Sequence, residues 1–127
     1  MKKSSIKTSD FKKYYKQLLL KKIGVIGQKK IFSAKVLVVG AGGLGCPLML
    51  YLAYSGVGNI GIVDDDKIEL SNLSRQILFT KNHIGKYKTD IAKKIIKKIN
   101  KNIKIKTFSE RLSNLNIDKI LKKYPII

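Results

Sequence analysis

Lys35-Val36-Leu37-Val38-Val39-Gly40-Ala41-Gly42-Gly43-Leu44-Gly45 is the stretch that decides the fold. Its first half is a continuous apolar run rich in β-branched residues, the pattern of a parallel strand buried on both faces. Its second half matches G-x-G-x-x-G. That motif gains physical meaning when it follows a strand and opens a helix. Both conditions are met, because Leu44–Ser55 reads as a mostly apolar helix with Pro47 in its first turn, where a missing N–H does no harm. The first glycine permits a tight turn, the second lets backbone approach a phosphate, and the third allows helix and strand to pack closely. Phosphate would rest on free N–H groups at the positive end of the helix.

Outward from the loop, Gly56 and Gly58 end the helix, and Asn59–Asp64 reads as a second buried strand. Asp64 follows Gly45 by 19 residues and closes that strand, the place of a ribose-binding carboxylate. At this point NAD, FAD and ATP all fit. Asp65–Gly85 reads as a long loop with one helical turn. Lys86–Asn100 is amphipathic, with Ile91, Ala92, Ile95, Ile96 and Ile99 on one face. Ile103–Phe108 alternates as a half-exposed strand does. Ile117–Tyr124 is a last helix, and Pro125–Ile127 starts a further strand. Upstream, Asp10–Lys22 has helical spacing, with Asp10 as N-cap and Gly24 as terminator, and Gln28–Ser33 forms a second short helix. Met1–Ser9 is a basic, polar stretch expected to be disordered. Strand and helix alternate, which gives a doubly wound α/β domain over residues 10–127 with a parallel sheet and an N-terminal helical segment.

Composition narrows the function. The chain has 127 residues and a net charge of +19. The charge is almost all lysine, spread along the chain, with only Arg75 and Arg111 as arginines. Specific nucleic-acid readers cluster arginine forks, so a specific nucleic-acid partner is not expected, although salt-sensitive sticking to polyanions is. No apolar run reaches the roughly 18 residues of a membrane span, and the N-terminus lacks the apolar stretch of a secretory signal. The expected location is the cytoplasm. Cys46 is the single cysteine, which excludes an internal disulfide and a cysteine-based zinc cluster. It reads as a packed small side chain at the start of the glycine-loop helix.

The stretch Asp64-Asp65-Asp66-Lys67-Ile68-Glu69-Leu70-Ser71-Asn72-Leu73-Ser74-Arg75-Gln76 resembles the D-x-D-x-[VI]-x-x-S-N-L-x-R-Q signature of the ThiF/MoeB/HesA family, bacterial relatives of ubiquitin-activating enzymes. Tyr14–Leu20, Gly27-Gln28, Leu52–Ile60 and Gly85-Lys86-Tyr87-Lys88 resemble other segments of that family, so that the likeness covers about residues 10–124. The resemblance implies a Rossmann-like fold and ATP-dependent adenylation of the C-terminal glycine of a ubiquitin-like sulfur-carrier protein of the ThiS/MoaD type, in thiamine or molybdenum-cofactor biosynthesis. It implies that Gly40, Gly42, Gly43 and Gly45 cradle the nucleotide. It makes Asp64 the ribose ligand, with Asp66 beside it. It has Ser71, Asn72, Leu73, Ser74 and Arg75 line the phosphate path. Arg75 and Lys88 become the two phosphate cations, and only arginine offers a bidentate fork. Magnesium accompanies ATP, with no metal ligand assigned within this chain. An NAD(P)- or FAD-binding oxidoreductase domain would share the glycine loop and Asp64 but leave Ser71–Gln76 unexplained. A non-catalytic interaction module of the same fold is the third reading.

Two departures qualify the resemblance. Lys16 stands where the family often has an arginine that reaches a partner subunit, which puts a cross-subunit role in doubt and leaves a homodimer open. Relatives are about twice as long, and their second half carries the acidic magnesium ligand, a zinc site from two C-x-x-C pairs and the carrier-protein surface. The expectation is therefore an N-terminal half, truncated before the fourth strand and not fully active. In the strand order 3-2-1-4, Val36–Val39 would form an apolar edge, an association hazard, so the chain alone is expected to aggregate or need a partner.

Overall fold

The computed structural model describes residues 6–127, so the expectation of disorder for Met1–Ser9 lies outside the described residues over Met1–Ser5, while Thr8 and Ser9 stand in a helix. Three parallel strands, β1 (Lys35–Val39), β2 (Asn59–Val63) and β3 (Lys104–Phe108), form one sheet in the order β1-β2-β3. Val36 pairs with Ile60 and Ile60 with Ile105. On the outer edge of β1, Leu37 donates its N–H to the Ile126 carbonyl at 2.9 Å, and Val36 bridges Ile126 in parallel. The chain thus returns beside β1, as the 3-2-1-4 order requires.

Two faces of the sheet are buried by different partners. On one face, α4 (Gly45–Ser55) and α5 (Lys88–Ile99) pack on Val36, Val38, Ile60, Ile62 and Ile103 through Met49, Ala53, Ile91, Ala92 and Ile96. The side-chain period of two sends Leu37 and Val63 to the other face, where Ile120 of the short helix α6 (Ile117–Leu121) and Tyr124 cover them. Both faces of β1 and β2 are therefore apolar, whereas β3 turns Lys104 and Lys106 outward. Helix α4 ends at Gly56, whose φ of 89° is the left-handed C-cap that glycine adopts without strain. No helix among the described residues is long and apolar enough to cross a membrane.

The N-terminal segment differs from expectation. In place of one helix over Asp10–Lys22 there are α1 (Thr8–Lys13) and α2 (Tyr15–Leu18). The break at Tyr14 has a packing cause. Tyr14 is 4% exposed, its ring meets Phe32 edge-on at a centroid distance of 5.1 Å, and its hydroxyl accepts from Asn100 Nδ2 at 3.3 Å. Turning that ring inward bends the chain. Asp10 is not the N-cap; helix α1 starts at Thr8, and the Asp10 carboxylate instead accepts the Lys7 N–H from inside the first turn at 3.1 Å. Gly24 does not end a helix but begins α3 (Gly24–Ser33), which therefore starts before Gln28. The loop after β2 holds two 3₁₀ turns, Leu70–Ser74 and Lys81–His83, not one.

Candidate functional site

The glycine loop connects β1 to α4. Gly40 has a φ of 95°, a conformation open to glycine, and its N–H donates to the Val63 carbonyl at 2.7 Å. At Gly45 a Cβ would overlap the Gly40 carbonyl oxygen, so the close crossing of loop and helix excludes any side chain there. Helix α4 starts at Gly45, and the N–H groups of Gly42, Gly43 and Leu44 donate to no acceptor among the described residues. These are free donors at the positive end of a helix, the arrangement that binds anions.

Asp64 fastens the loop from the end of β2. Its Oδ2 accepts the Ala41 N–H at 2.7 Å and its Oδ1 accepts the Asp66 N–H at 2.8 Å. The carboxylate thereby holds the glycine loop to the second strand, a function that sequence spacing does not reveal. Each oxygen keeps a lone pair for a further donor.

Lys88 is the least expected of the site residues. It opens α5, is 4% exposed, and its Nζ donates to Asp66 Oδ2 at 2.8 Å. A cation at a helix N-terminus opposes the helix dipole, and a buried cation is desolvated. Asp66 compensates, and its side chain is 65% exposed, so the pair meets solvent on the carboxylate side. It is the one ion pair among the described residues. The charge of Lys88 also acts on the thiol of Cys46, which stands at the start of α4. Cys46 is fully buried, and burial pushes its thiol pKa up, the Leu78 backbone and Lys88 offsetting part of that rise.

The 3₁₀ turn brings the remaining candidates to the loop. Asn72 is buried and its Oδ1 accepts the Glu69 N–H at 3.0 Å, which fixes the start of the turn. Leu73 anchors the turn in the core. Ser71 and Ser74 are exposed, and the Ser74 hydroxyl donates to the Ser71 carbonyl at 3.3 Å. Arg75 is exposed and its guanidinium donates to the same carbonyl at 3.1 Å. Its Cγ lies 3.4 Å from where a Cβ on Gly43 would stand, so the arginine stem runs along the glycine loop.

Two features escape the sequence reading. Gln76 is 3% exposed, its amide nitrogen faces Gly42, and its Oε1 has no hydrogen-bond partner. Its position directly after Arg75 in the signature was the available clue. The second is a cavity of about 300 Å³ at the C-terminal ends of the strands, lined by Val39, Gly40, Val63, Asp64, Asp65 and the Glu110–Leu112 segment. Ligands of open parallel sheets bind at that end. Nothing in the sequence marks Glu110–Leu112 as its wall, because the segment comes close only when β3 pairs with β2.

Carboxylate oxygens of Asp64, Asp65 and Asp66 lie within 4.8 Å of one another. Asp64 already accepts two N–H groups and Asp66 is paired to Lys88, which leaves Asp65 unengaged. One buried cysteine does not fit a cysteine-based zinc site.

Comparison with known proteins agrees with this geometry. The chain is 48% identical to a probable molybdopterin-synthase adenylyltransferase from Porphyra purpurea, matching 93% of this chain and 31% of that protein. It is 46% identical to the adenylyltransferase and sulfurtransferase UBA4 of Debaryomyces hansenii, matching 94% of this chain and 27% of the relative. It thus spans roughly a quarter to a third of the length of these curated relatives. Among solved structures, Escherichia coli MccB crystallised with AMPCPP and MccA superposes with a TM-score of 0.70 at 36% identity, over 73% of this chain and 28% of that one. The ThiF family model matches residues 14–127, and this chain belongs to the ThiF family.

Proposed function

We propose that this chain forms the nucleotide-binding part of an ATP-dependent adenylyltransferase that activates the C-terminal glycine of a ubiquitin-like sulfur-carrier protein of the ThiS/MoaD type, in the cytoplasm, for thiamine or molybdenum-cofactor biosynthesis. The observation that carries this reading is the burial of Lys88 against Asp66, whose N–H is held by the same Asp64 carboxylate that fastens the glycine loop, with the Arg75 stem running along that loop. A buried lysine at a helix N-terminus is costly, and an incoming polyphosphate would compensate it. The relatives' names support adenylation, and the MccB crystal held an ATP analogue.

In this mechanism the N–H groups from Gly42 to Gly45 would hold phosphate, with Gly40 supplying the turn. Asp64 would accept ribose hydroxyls with its spare lone pairs while holding the loop. The nucleoside would lie toward the cavity walled by Glu110–Leu112. Arg75 would release the Ser71 carbonyl and turn its fork to the phosphates, and Lys88 would exchange Asp66 for them. Ser71, Asn72, Leu73 and Ser74 shape the turn that presents Arg75. The carrier's carboxylate attacks the α-phosphorus, the bond to the bridging oxygen breaks, and pyrophosphate leaves with the electron pair. The product is an acyl-adenylate. Charge grows on phosphate oxygens along this path, so fixed cations speed it. ATP brings magnesium, whose charge would offset that of the phosphates. Exposed Phe11 on α1, Tyr15 on α2 and Leu19 at the end of α2 offer an apolar face for a homodimer.

The test is ATP–pyrophosphate exchange with the chain, ATP-magnesium and a ThiS/MoaD-type carrier. Exchange that depends on the carrier and is lost in Arg75→Ala supports the reading. ATP binding without exchange would mean that this chain holds the nucleotide but lacks the complete catalytic apparatus. Tighter binding of NAD than of ATP would sink the proposal and favour an oxidoreductase cofactor domain.

A further inference from the structure

The opposite end of the sheet holds a cleft of about 500 Å³ that the adenylation reading does not use. It is lined by the first residues of all three strands, Lys35, Asn59 and Lys104, by Lys106, and by Lys122–Tyr124. It lies roughly 13 Å of strand away from the glycine loop. The side-chain period places Lys35, Lys104 and Lys106 on the face that α6 covers only in part. Five lysines meet there and none of the lining residues is acidic. None of these lysines has an ion-pair partner among the described residues. Glu110, which lines a neighbouring cavity with Lys106 and Lys123, accepts from Asn116 Nδ2 at 2.8 Å instead.

The geometry points to a second anion site in this cleft, one that takes a small, multiply charged phosphate compound. Lys106 and Lys123 both line the cleft, the Lys106 ammonium standing over the Phe108 ring at 5.4 Å from its centroid; repulsion from Lys106 lowers the Lys123 pKa, with Lys119 adding to the effect. Five lysines lining one cleft with no acidic residue among them make a natural seat for the oxygens of a phosphate compound. The volume falls in the range of small-ligand pockets. A nucleic-acid strand is the poorer match. The cleft has no arginine, and its one aromatic ring, Tyr124, is 8% exposed and packed on the sheet, so it offers no stacking platform.

Inorganic tripolyphosphate is the probe, titrated into isotopically labelled chain while lysine side-chain and backbone NMR signals are followed. Because the glycine loop also binds phosphates, Arg75→Ala is titrated in parallel. The site predicts saturable shifts at Lys104, Lys106 and Lys123 that persist in Arg75→Ala. In Lys106→Gln/Lys123→Gln those shifts should need at least about tenfold more ligand. Both lysines are exposed, so the fold should survive the change, and Lys106→Arg, which keeps the charge, should keep binding. Unchanged affinity in the double glutamine variant would overturn the proposal. So would shifts spread evenly over lysines along the whole chain. Tighter binding per phosphate by a single-stranded RNA oligonucleotide would overturn it too, and assign the cleft to nucleic acid.

Discussion

Gly45 and Asp64 show how one residue can serve both fold and site. A Cβ at Gly45 would overlap the Gly40 carbonyl, and neither partner is the flexible end of a side chain that could give way. Gly45→Ala should therefore cost about 3 kcal/mol in urea unfolding, at the upper end of overpacking penalties. Asp64 accepts two backbone N–H groups, so Asp64→Ala should cost about 2 kcal/mol even without nucleotide, and Asp64→Asn about half of that. A stability unchanged in Asp64→Ala would show that the carboxylate does not hold the loop. Cys46 is fully buried and its thiol pKa is raised, chiefly by burial. At neutral pH it stays protonated, so a thiol reagent should modify it only on the timescale of unfolding. Fast modification of the folded chain would contradict the burial of this thiol.

Among the elements, the sheet was legible and the N-terminal helices were not, for a physical reason. Val36–Val38 and Ile60–Val63 are buried on both faces, and that burial is written directly into composition. The break at Tyr14 depends on Phe32 and on Asn100, 86 residues away, and no local pattern records such a partner. The same limit applies at the site. Gly40–Gly45, Asp64 and Arg75 announce themselves by motif, but the burial of Lys88 follows only from how α5 docks beside the loop. Tyr14→Ala should cost about 3–4 kcal/mol, the usual loss for a buried aromatic side chain. Hydrogen exchange should then speed up in α1 and α2 more than in β1–β3. Uniform acceleration throughout would mean that the helices are not a separately anchored unit.

At the scale of the whole molecule, +19 charges face a single ion pair among the described residues. Self-repulsion of this kind weakens the folded state and is screened by salt. Raising ionic strength from about 0.02 to 0.2 M should raise the melting temperature by roughly several degrees. A flat response would show that the charges are too dispersed to matter. The sequence displays this excess plainly, but only the fold reveals that five lysines converge at the end of the sheet remote from the glycine loop.

The proposed function stands on the glycine loop, Arg75 and Lys88 together forming a triphosphate site. Equilibrium binding of ATP to the chain, beside Arg75→Ala and Lys88→Met, is the decisive experiment. Binding to the unaltered chain should be saturable, and at least about tenfold weaker in each variant, since each removes a charge-assisted contact. ATP affinity unchanged in both variants, or NAD bound more tightly than ATP, would refute the triphosphate site.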